Sequence, residues 1–346
     1  MKSKSLILLI SIALSSFFTL GSHAQSVSST PVGYVTLTIN GNGYTALSNP
    51  LENAVVYSGS ASNVSGSDIT TSFTMTSGEV ATTDVDGNSS YYVQLSDGTI
   101  LDITGNSETA ITVAVDASSL ISSSDAITVK KYTTLSDLFG ATNAAGLTSG
   151  ADASSSDLVF IMSADGNGVY GSYYYQDDPF DGFFGGDGWR SLGDNATDAS
   201  NLIIAPDDGL IVQRNAPTDL SIVVTGTVNT IQHNRTLPAG FSLVAYPFPV
   251  DTTLDDSGIY SATNGYTSGG DASTSDIVYV LSSNGSYTSY YRQDDPFDGF
   301  FGGDGWRALG DNATDAGTTS IPAGSAIIIK HIGSGLTWAD SLPYTL

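Results

Sequence analysis

The sequence predicts an all-β protein in which two tandem β-sandwich or barrel-like modules follow an N-terminal β-rich module. Three observations indicate this fold class. Only three of the 35 acidic residues are glutamate, and aspartate favours turns whereas glutamate favours helices. The 38 glycines separate short stretches rich in tyrosine and phenylalanine, as in strands joined by tight turns. One long segment also occurs twice, which indicates tandem modules.

The composition excludes several classes of protein. The chain has no cysteine, so it has neither disulfides nor thiolate metal sites. Its formal net charge of -25 leaves no basic surface with which to neutralise phosphates, so we expect no nucleic-acid partner. The 40% hydrophobic content is enough to fill a core, which argues against a disordered chain.

Residues 1–24 predict a signal peptide. Lys2 and Lys4 precede an apolar stretch at residues 6–20, and Ser22-His23-Ala24 is a small-x-small cleavage sequence. No later segment approaches the length of apolar chain that a membrane-spanning helix needs. We therefore expect a secreted protein without a membrane span, located in the periplasm, at the cell surface or outside the cell.

The N-terminal module is predicted at residues 25–130. Apolar residues alternate with threonines over residues 35–39, which is typical of a strand with one buried face. Residues 91–103 predict a hairpin that turns at Asp97-Gly98. Both features indicate a β-rich module.

An alternative interpretation of this region rests on residues 43–47. They resemble residues 240–244 of the second repeat, and a proline follows each segment. On this interpretation the first module is a split copy of the repeat, with a β-rich insertion between about residues 55 and 128.

The duplicated segment comprises residues 172–199 and 289–316, which match at 26 of 28 positions. We predict repeat one at residues 131–238, with a short helical turn near residue 135, and repeat two at residues 239–346. The hairpin before the duplicated segment is two residues longer in the first copy. The loop is more similar between the two copies than the strands around it are. Either a local copying event or a constraint that acts on both loops is required to explain this difference.

The chain resembles a family of secreted, uncharacterised β-rich proteins from the Planctomycetes–Verrucomicrobia group. The motifs that carry the resemblance are PVGYVT at residues 31–36, the YYV hairpin at residues 91–93 that ends in DIT, and TLSDLFG at residues 134–140. The resemblance covers most of the mature chain and implies secretion and a β-rich fold. It implies no reaction.

The aspartates of the duplicated loop are candidate calcium ligands. Clustered carboxylates in a glycine-rich loop repel one another, and Ca²⁺, which takes about six to eight oxygen ligands, would relieve that repulsion. The alternative is a solvated acidic loop in which the aspartates form turns. The candidate ligands are Asp177, Asp178, Asp181 and Asp187 in the first copy, and Asp294, Asp295, Asp298 and Asp304 in the second.

The aromatic residues of the same loop are candidates for a ligand-binding surface. Neighbouring phenylalanines cannot both point inward on a strand, so an exposed aromatic patch could bind a glycan or a protein. The alternative is a small core that packs beneath the loop. The candidates are Phe183, Phe184 and Trp189 in the first copy, and Phe300, Phe301 and Trp306 in the second.

Arg190 and Arg307 follow the two tryptophans and are expected to pair with a local aspartate. A role in binding a substrate carboxylate is the alternative. The mature chain keeps only His233 and His331, and no common hydrolase, metalloprotease or phosphate-binding motif occurs. We therefore predict that the protein is not an enzyme.

The function that these patterns favour is that of a secreted or surface-associated structural or binding protein. We expect it to be stabilised by calcium and to interact with a glycan, with a matrix protein or with itself. The alternative is a carbohydrate-binding module that uses aromatic stacking. A glycoside hydrolase is a remote alternative, because paired aspartates could serve as acid and nucleophile.

Overall fold

The computed structural model describes residues 31–345 except 179–181, 183, 184 and 295–301, and the predicted signal peptide lies outside the described residues. Residues Val32–Leu346 form one compact unit. The described residues are almost entirely strands and turns, so the predicted all-β class is confirmed.

The elements of the first half of the chain are β1 (Val32–Ile39), β2 (Gly43–Leu47), β3 (Val55–Ser65), β4 (Asp68–Thr71), β5 (Tyr91–Leu95), β6 (Ile100–Asn106), β7 (Ala110–Val113), β8 (Ala126–Lys131), β9 (Thr133–Thr134), α1 (Leu135–Phe139), β10 (Leu158–Met162) and β11 (Tyr170–Gln176). Those of the second half are β12 (Gly188–Ser191), β13 (Ile203–Ile204), β14 (Leu210–Arg214), β15 (Leu220–Thr227), β16 (His233–Leu237), β17 (Gly240–Ala245), β18 (Thr252–Thr253), β19 (Ile277–Leu281), β20 (Tyr287–Gln293), β21 (Gly305–Ala308), β22 (Ser320–Ile321), β23 (Ala326–His331) and β24 (Leu336–Asp340).

The first module contains a five-stranded antiparallel sheet in the order β12-β11-β10-β14-β2. Its last strand comes from the N-terminal part of the chain, and Leu47 of β2 lies opposite Leu210 of β14. Strand β1 pairs with β15 in the same way, with Ile39 opposite Leu220. The prediction of a separate module at residues 25–130, followed by a complete repeat at 131–238, is therefore wrong. Strands β1 and β2 instead pair with strands of the first module, as the split-repeat alternative expects.

The insertion is a closed six-stranded barrel in the order β3-β4-β7-β6-β5-β8. Its core is apolar and includes the buried side chains of Ile69, Val93 and Ile111. The predicted hairpin is formed by β5 and β6, and Gly98 takes a φ of 87° at its turn. A glycine is needed there, because a side chain would meet the carbonyl oxygen of Gln232.

The second module repeats the arrangement of the first. Its sheet has the order β17-β23-β19-β20-β21, and β16 pairs with β24 as β1 pairs with β15. Because β16 begins at His233, the second module starts before the predicted boundary at residue 239. The pairs β9–β13 and β18–β22 are also equivalent in the two modules.

The two five-stranded sheets pack against each other through a shared apolar layer. Ile211 of the first module and Leu243, Ala326 and Ile328 of the second are buried in this layer. Each sheet buries its other face in the core of its own module, which contains Trp189 in the first and Trp306 in the second. The two modules therefore share one apolar layer in addition to the core that each has of its own.

Matched hydrogen bonds relate the two modules by a pseudo-two-fold axis. The backbone N–H of Tyr44 in β2 donates to the carbonyl oxygen of Ser283 at 2.9 Å, and the N–H of its counterpart Phe241 in β17 donates to that of Gly166 at 2.7 Å. Each bond joins the edge strand of one module's sheet to the hairpin of the other module. The same patch thus faces its own copy, as in an isologous dimer interface.

Candidate functional site

A buried arginine organises the first copy of the duplicated loop. Arg190 lies in β12, and its side chain is 3% exposed. Its Nε donates to the carbonyl oxygen of Asn195 at 2.8 Å, and one terminal nitrogen donates to those of Gly185 and Gly186 at 2.9 and 3.1 Å. One guanidinium therefore holds both sides of the loop, which a fork of fixed N–H donors suits well.

The second copy repeats this frame almost atom for atom. Arg307 donates to Asn312 at 2.9 Å and to Gly302 and Gly303 at 2.8 and 2.9 Å. The near-identity of the two loops is therefore accompanied by a near-identity of their internal hydrogen bonds.

The arginines also pair with aspartates, as predicted, although less closely. Arg190 lies 3.8 Å from Asp198 and Arg307 lies 3.3 Å from Asp315. Both aspartates are more than 60% exposed, so water screens these pairs and they add little stability. The guanidinium groups donate mainly to backbone carbonyls. They are too buried to contact the carboxylate of a substrate.

A buried glutamine and tyrosine complete the frame. The amide of Gln176 donates to the carbonyl oxygen of Gly186 at 3.1 Å, and the Tyr174 hydroxyl lies 3.2 Å from the side-chain oxygen of Asn195. Gln293 and Tyr291 make the equivalent bonds in the second copy. The loop is thus held on a rigid strand pair rather than by its own turns alone.

Two of the candidate metal ligands shape the first loop. The carboxylate of Asp178 is buried and accepts hydrogen bonds from the backbone N–H groups of Gly182 and Gly186, each at 3.1 Å. Asp187 accepts a bond from the N–H of Asp178 at 2.8 Å. These contacts are those of turn-forming aspartates.

The calcium hypothesis is only partly covered by the described residues. Asp177, Asp187, Asp294 and Asp304 are exposed in the two loops, whereas Asp181, Asp295 and Asp298 lie outside the described residues. Within the described ranges, no three His, Cys, Asp or Glu side chains are grouped closely enough to hold a metal ion. Calcium binding therefore stays a prediction.

The two tryptophans do not belong to an exposed binding surface. Trp189 and Trp306 are 0% and 1% exposed. The Trp189 ring packs against Phe139 of α1 at 5.7 Å, and its Nε1–H donates to the carbonyl oxygen of Gly140 at 3.0 Å. Their assignment as ligand-binding residues is wrong, because each ring fills the core of its module. Phe183, Phe184, Phe300 and Phe301 lie outside the described residues.

The sequence prediction missed two exposed leucines. Leu192 and Leu309 occupy equivalent positions and are 59% and 63% exposed. Each is followed by a Gly-Asp turn, where Asp194 or Asp311 accepts bonds from backbone N–H groups. Hydrogen bonds from Thr197 and Thr314 hold the pKa of these two carboxyls below the usual value, so both are ionised. The sequence signal that could have revealed them is a leucine that occurs in both copies of an otherwise polar turn.

Comparison of the chain with protein-family models, with curated proteins and with solved structures returns no match. The resemblance to a family of secreted β-rich proteins therefore stays a prediction. Within the described ranges, the chain contains no helix long and apolar enough to cross a lipid bilayer.

Proposed function

We propose that the protein is a secreted or surface-associated binding protein that presents two copies of one loop to a repetitive extracellular partner. The observation that carries this proposal is the matched surface of the loops. Each presents an exposed leucine beside ionised aspartates, Leu192 with Asp194 and Leu309 with Asp311. The partner is an extracellular glycan or a matrix protein with a repeated binding unit.

Two rigid copies of one weak site suit such a partner. Binding of the first loop makes binding of the second intramolecular, and overall avidity rises by about 10²- to 10⁴-fold when the geometry allows both contacts. In each loop a buried arginine holds both ends of the stretch that carries the exposed leucine, at 185–195 and 302–312. Little conformational entropy is therefore lost when that stretch binds. The protein should therefore bind a partner with repeated binding units far more tightly than a partner with a single unit.

Calcium is part of this proposal as a stabiliser of the two loops. The exposed Asp187 and Asp304 lie in the glycine-rich part of each loop, where carboxylates and backbone carbonyls could both serve as ligands. The proposal involves no turnover of the partner, and self-association through the same loops is its alternative.

The experiment measures retention of the secreted chain on immobilised cellulose, chitin and fibronectin, and its affinity for short soluble fragments of whichever surface retains it. Leu192→Ser and Leu309→Ser should each lower retention by at least about tenfold, with little change in affinity for a soluble fragment. Leu120→Ser is the matched control, since Leu120 is a leucine of the inserted barrel that is 47% exposed. Retention that survives the double variant would contradict the proposal, as would equal losses in the control.

A further inference from the structure

A cleft of about 340 Å³ opens where the five-stranded sheets of the two modules meet. It lies between the β10–β11 hairpin of the first module and strands β17, β19, β20 and β23 of the second. Its volume is at the small end of the range of about 300–1,000 Å³ for small-molecule sites. The lining residues are Met162, Asn167, Gly168, Tyr170, Phe241, Tyr279, Tyr287 and Ile328.

The longer hairpin of the first module contributes directly to this cleft. Its turn, Asp165-Gly166-Asn167-Gly168, is two residues longer than its counterpart in the second module, and it supplies Asn167 and Gly168 to the lining. Gly168 has a φ of 75°, and a Cβ there would lie 3.2 Å from the Phe241 ring. The backbone therefore approaches the ring closely at one end of the cleft.

Three aromatic rings shape the cleft. The rings of Phe241 and Tyr279 have centroids 6.4 Å apart and are inclined by only 35°. Tyr287 stands nearly perpendicular to Tyr279, at 82° and 6.1 Å. The tilted rings of Phe241 and Tyr279 give the cleft an apolar surface, and the ring of Tyr287 gives it a side wall.

Phenolic hydroxyls supply the polar groups of the cleft. Tyr170 and Tyr287 are equivalent residues of the two modules, and both line the cleft. Burial raises the pKa of Tyr170, Tyr279 and Tyr287, so all three are protonated at neutral pH. Each can therefore donate as well as accept a hydrogen bond.

The lining carries no formal charge, although the chain has a net charge of -25. The cation placed against one of its rings is Lys330, whose Nζ lies 5.9 Å from the centre of Phe241. A charged ligand would lose its hydration in the cleft without gaining an opposite charge from the lining side chains. The chemistry therefore favours a neutral ligand.

We infer that this cleft binds a neutral sugar of one or two pyranose rings. A pyranose ring has an apolar C–H face, which packs on aromatic rings, and a rim of hydroxyls, which phenolic hydroxyls can satisfy. A purely apolar ligand would take the tyrosine hydroxyls out of water without offering them a hydrogen bond in return. The site is separate from the duplicated loops, so it goes beyond the proposed function and does not depend on it.

The test is calorimetric titration of the full chain with cellobiose, mannobiose, chitobiose and digalacturonate, with the neutral peptide Gly-Trp-Gly as a further probe. At least one neutral disaccharide should bind with a Kd of about 0.1–1 mM, and digalacturonate should bind at least about tenfold more weakly. Tyr287→Ala should weaken binding about tenfold by removing the side wall, and Tyr287→Phe should weaken it less.

Tyr34→Ala is the matched control, because Tyr34 lies on β1, does not line the cleft and is 74% exposed. The inference fails if no neutral disaccharide binds, if Tyr287→Ala binds as the unmodified chain does, or if Gly-Trp-Gly binds more tightly than every sugar.

Discussion

Replacing Arg190 by methionine tests the loop frame directly. Methionine keeps most of the length and the apolar stem of the side chain but removes every donor of the guanidinium. The carbonyls that lose a donor are those of Gly185, Gly186, Trp189 and Asn195. A hydrogen bond to a charged group contributes about 1.5–3 kcal/mol. Water can replace part of this loss, because Gly185 and Asn195 are themselves exposed. We therefore expect the free energy of unfolding to fall by about 2–4 kcal/mol.

The duplication supplies an internal replicate of this experiment. Arg307→Met should cost the same within about 0.5 kcal/mol, because its bonds match those of Arg190 to within 0.2 Å. Arg190→Lys should recover less than half of the loss, since one ammonium group cannot reach the four carbonyls that the planar fork of the guanidinium serves. Asp198→Asn should cost under about 1 kcal/mol, because that ion pair is long and exposed.

Urea unfolding followed by circular dichroism and by tryptophan fluorescence measures these changes, and coincident transitions would justify a single free energy for each variant. Two results would refute the reasoning. One is an unchanged midpoint in Arg190→Met, which would mean that the loop holds itself without the arginine. The other is a loss in Asp198→Asn as large as that in Arg190→Met, which would make the ion pair the main contact.

Three further predictions follow from the fold. A chain that starts at residue 131 should aggregate or melt without cooperativity, because it lacks β1 and β2; cooperative calorimetric melting would contradict this. Millimolar Ca²⁺ should stabilise the protein by about 2.7 kcal/mol per site at a hundredfold excess over Kd, with half the effect lost in Asp187→Asn and the rest on adding Asp304→Asn; identical melting curves in calcium and chelator would exclude it. Burial lowers the pKa of His233, which lies beside Asp207 and Arg235. Below about pH 6.5 the unfolded chain therefore binds more protons than the folded chain, so the free energy of unfolding should fall as the pH drops below that value. His233→Gln should flatten this dependence between about pH 7.5 and about pH 5.5, and an unchanged slope would rule out the histidine.

Parts of the loop could be predicted from the sequence and parts could not. The pairing of Arg190 with a nearby aspartate was predictable, because the charges are adjacent in sequence and arginines are few. The bonds from the same guanidinium to four backbone carbonyls were not predictable, because every residue has a carbonyl and carbonyls carry no sequence signal. The burial of Trp189 also depends on α1, about 50 residues earlier in the chain.

Short-range patterns in the sequence were enough to predict the local structure and the repetition. The alternation of apolar residues in β1, the Asp97-Gly98 turn and the two matching loops all follow from short-range patterns. These patterns report strand period and backbone conformation, which depend on residues close in sequence. They were sufficient for the all-β class and for the existence of two related modules.

The pairing of strands that are distant in sequence became visible in the folded chain alone. Strand β2 completes a sheet with β14, more than 160 residues later, while a six-stranded barrel lies between them in the chain. The aromatic cleft likewise joins Tyr170 to Phe241 and Tyr279 from another module. Backbone pairing is nearly independent of side-chain identity, so partner choice is set by the burial of whole sheet faces. That burial depends on all the strands at once and cannot be read from any one segment.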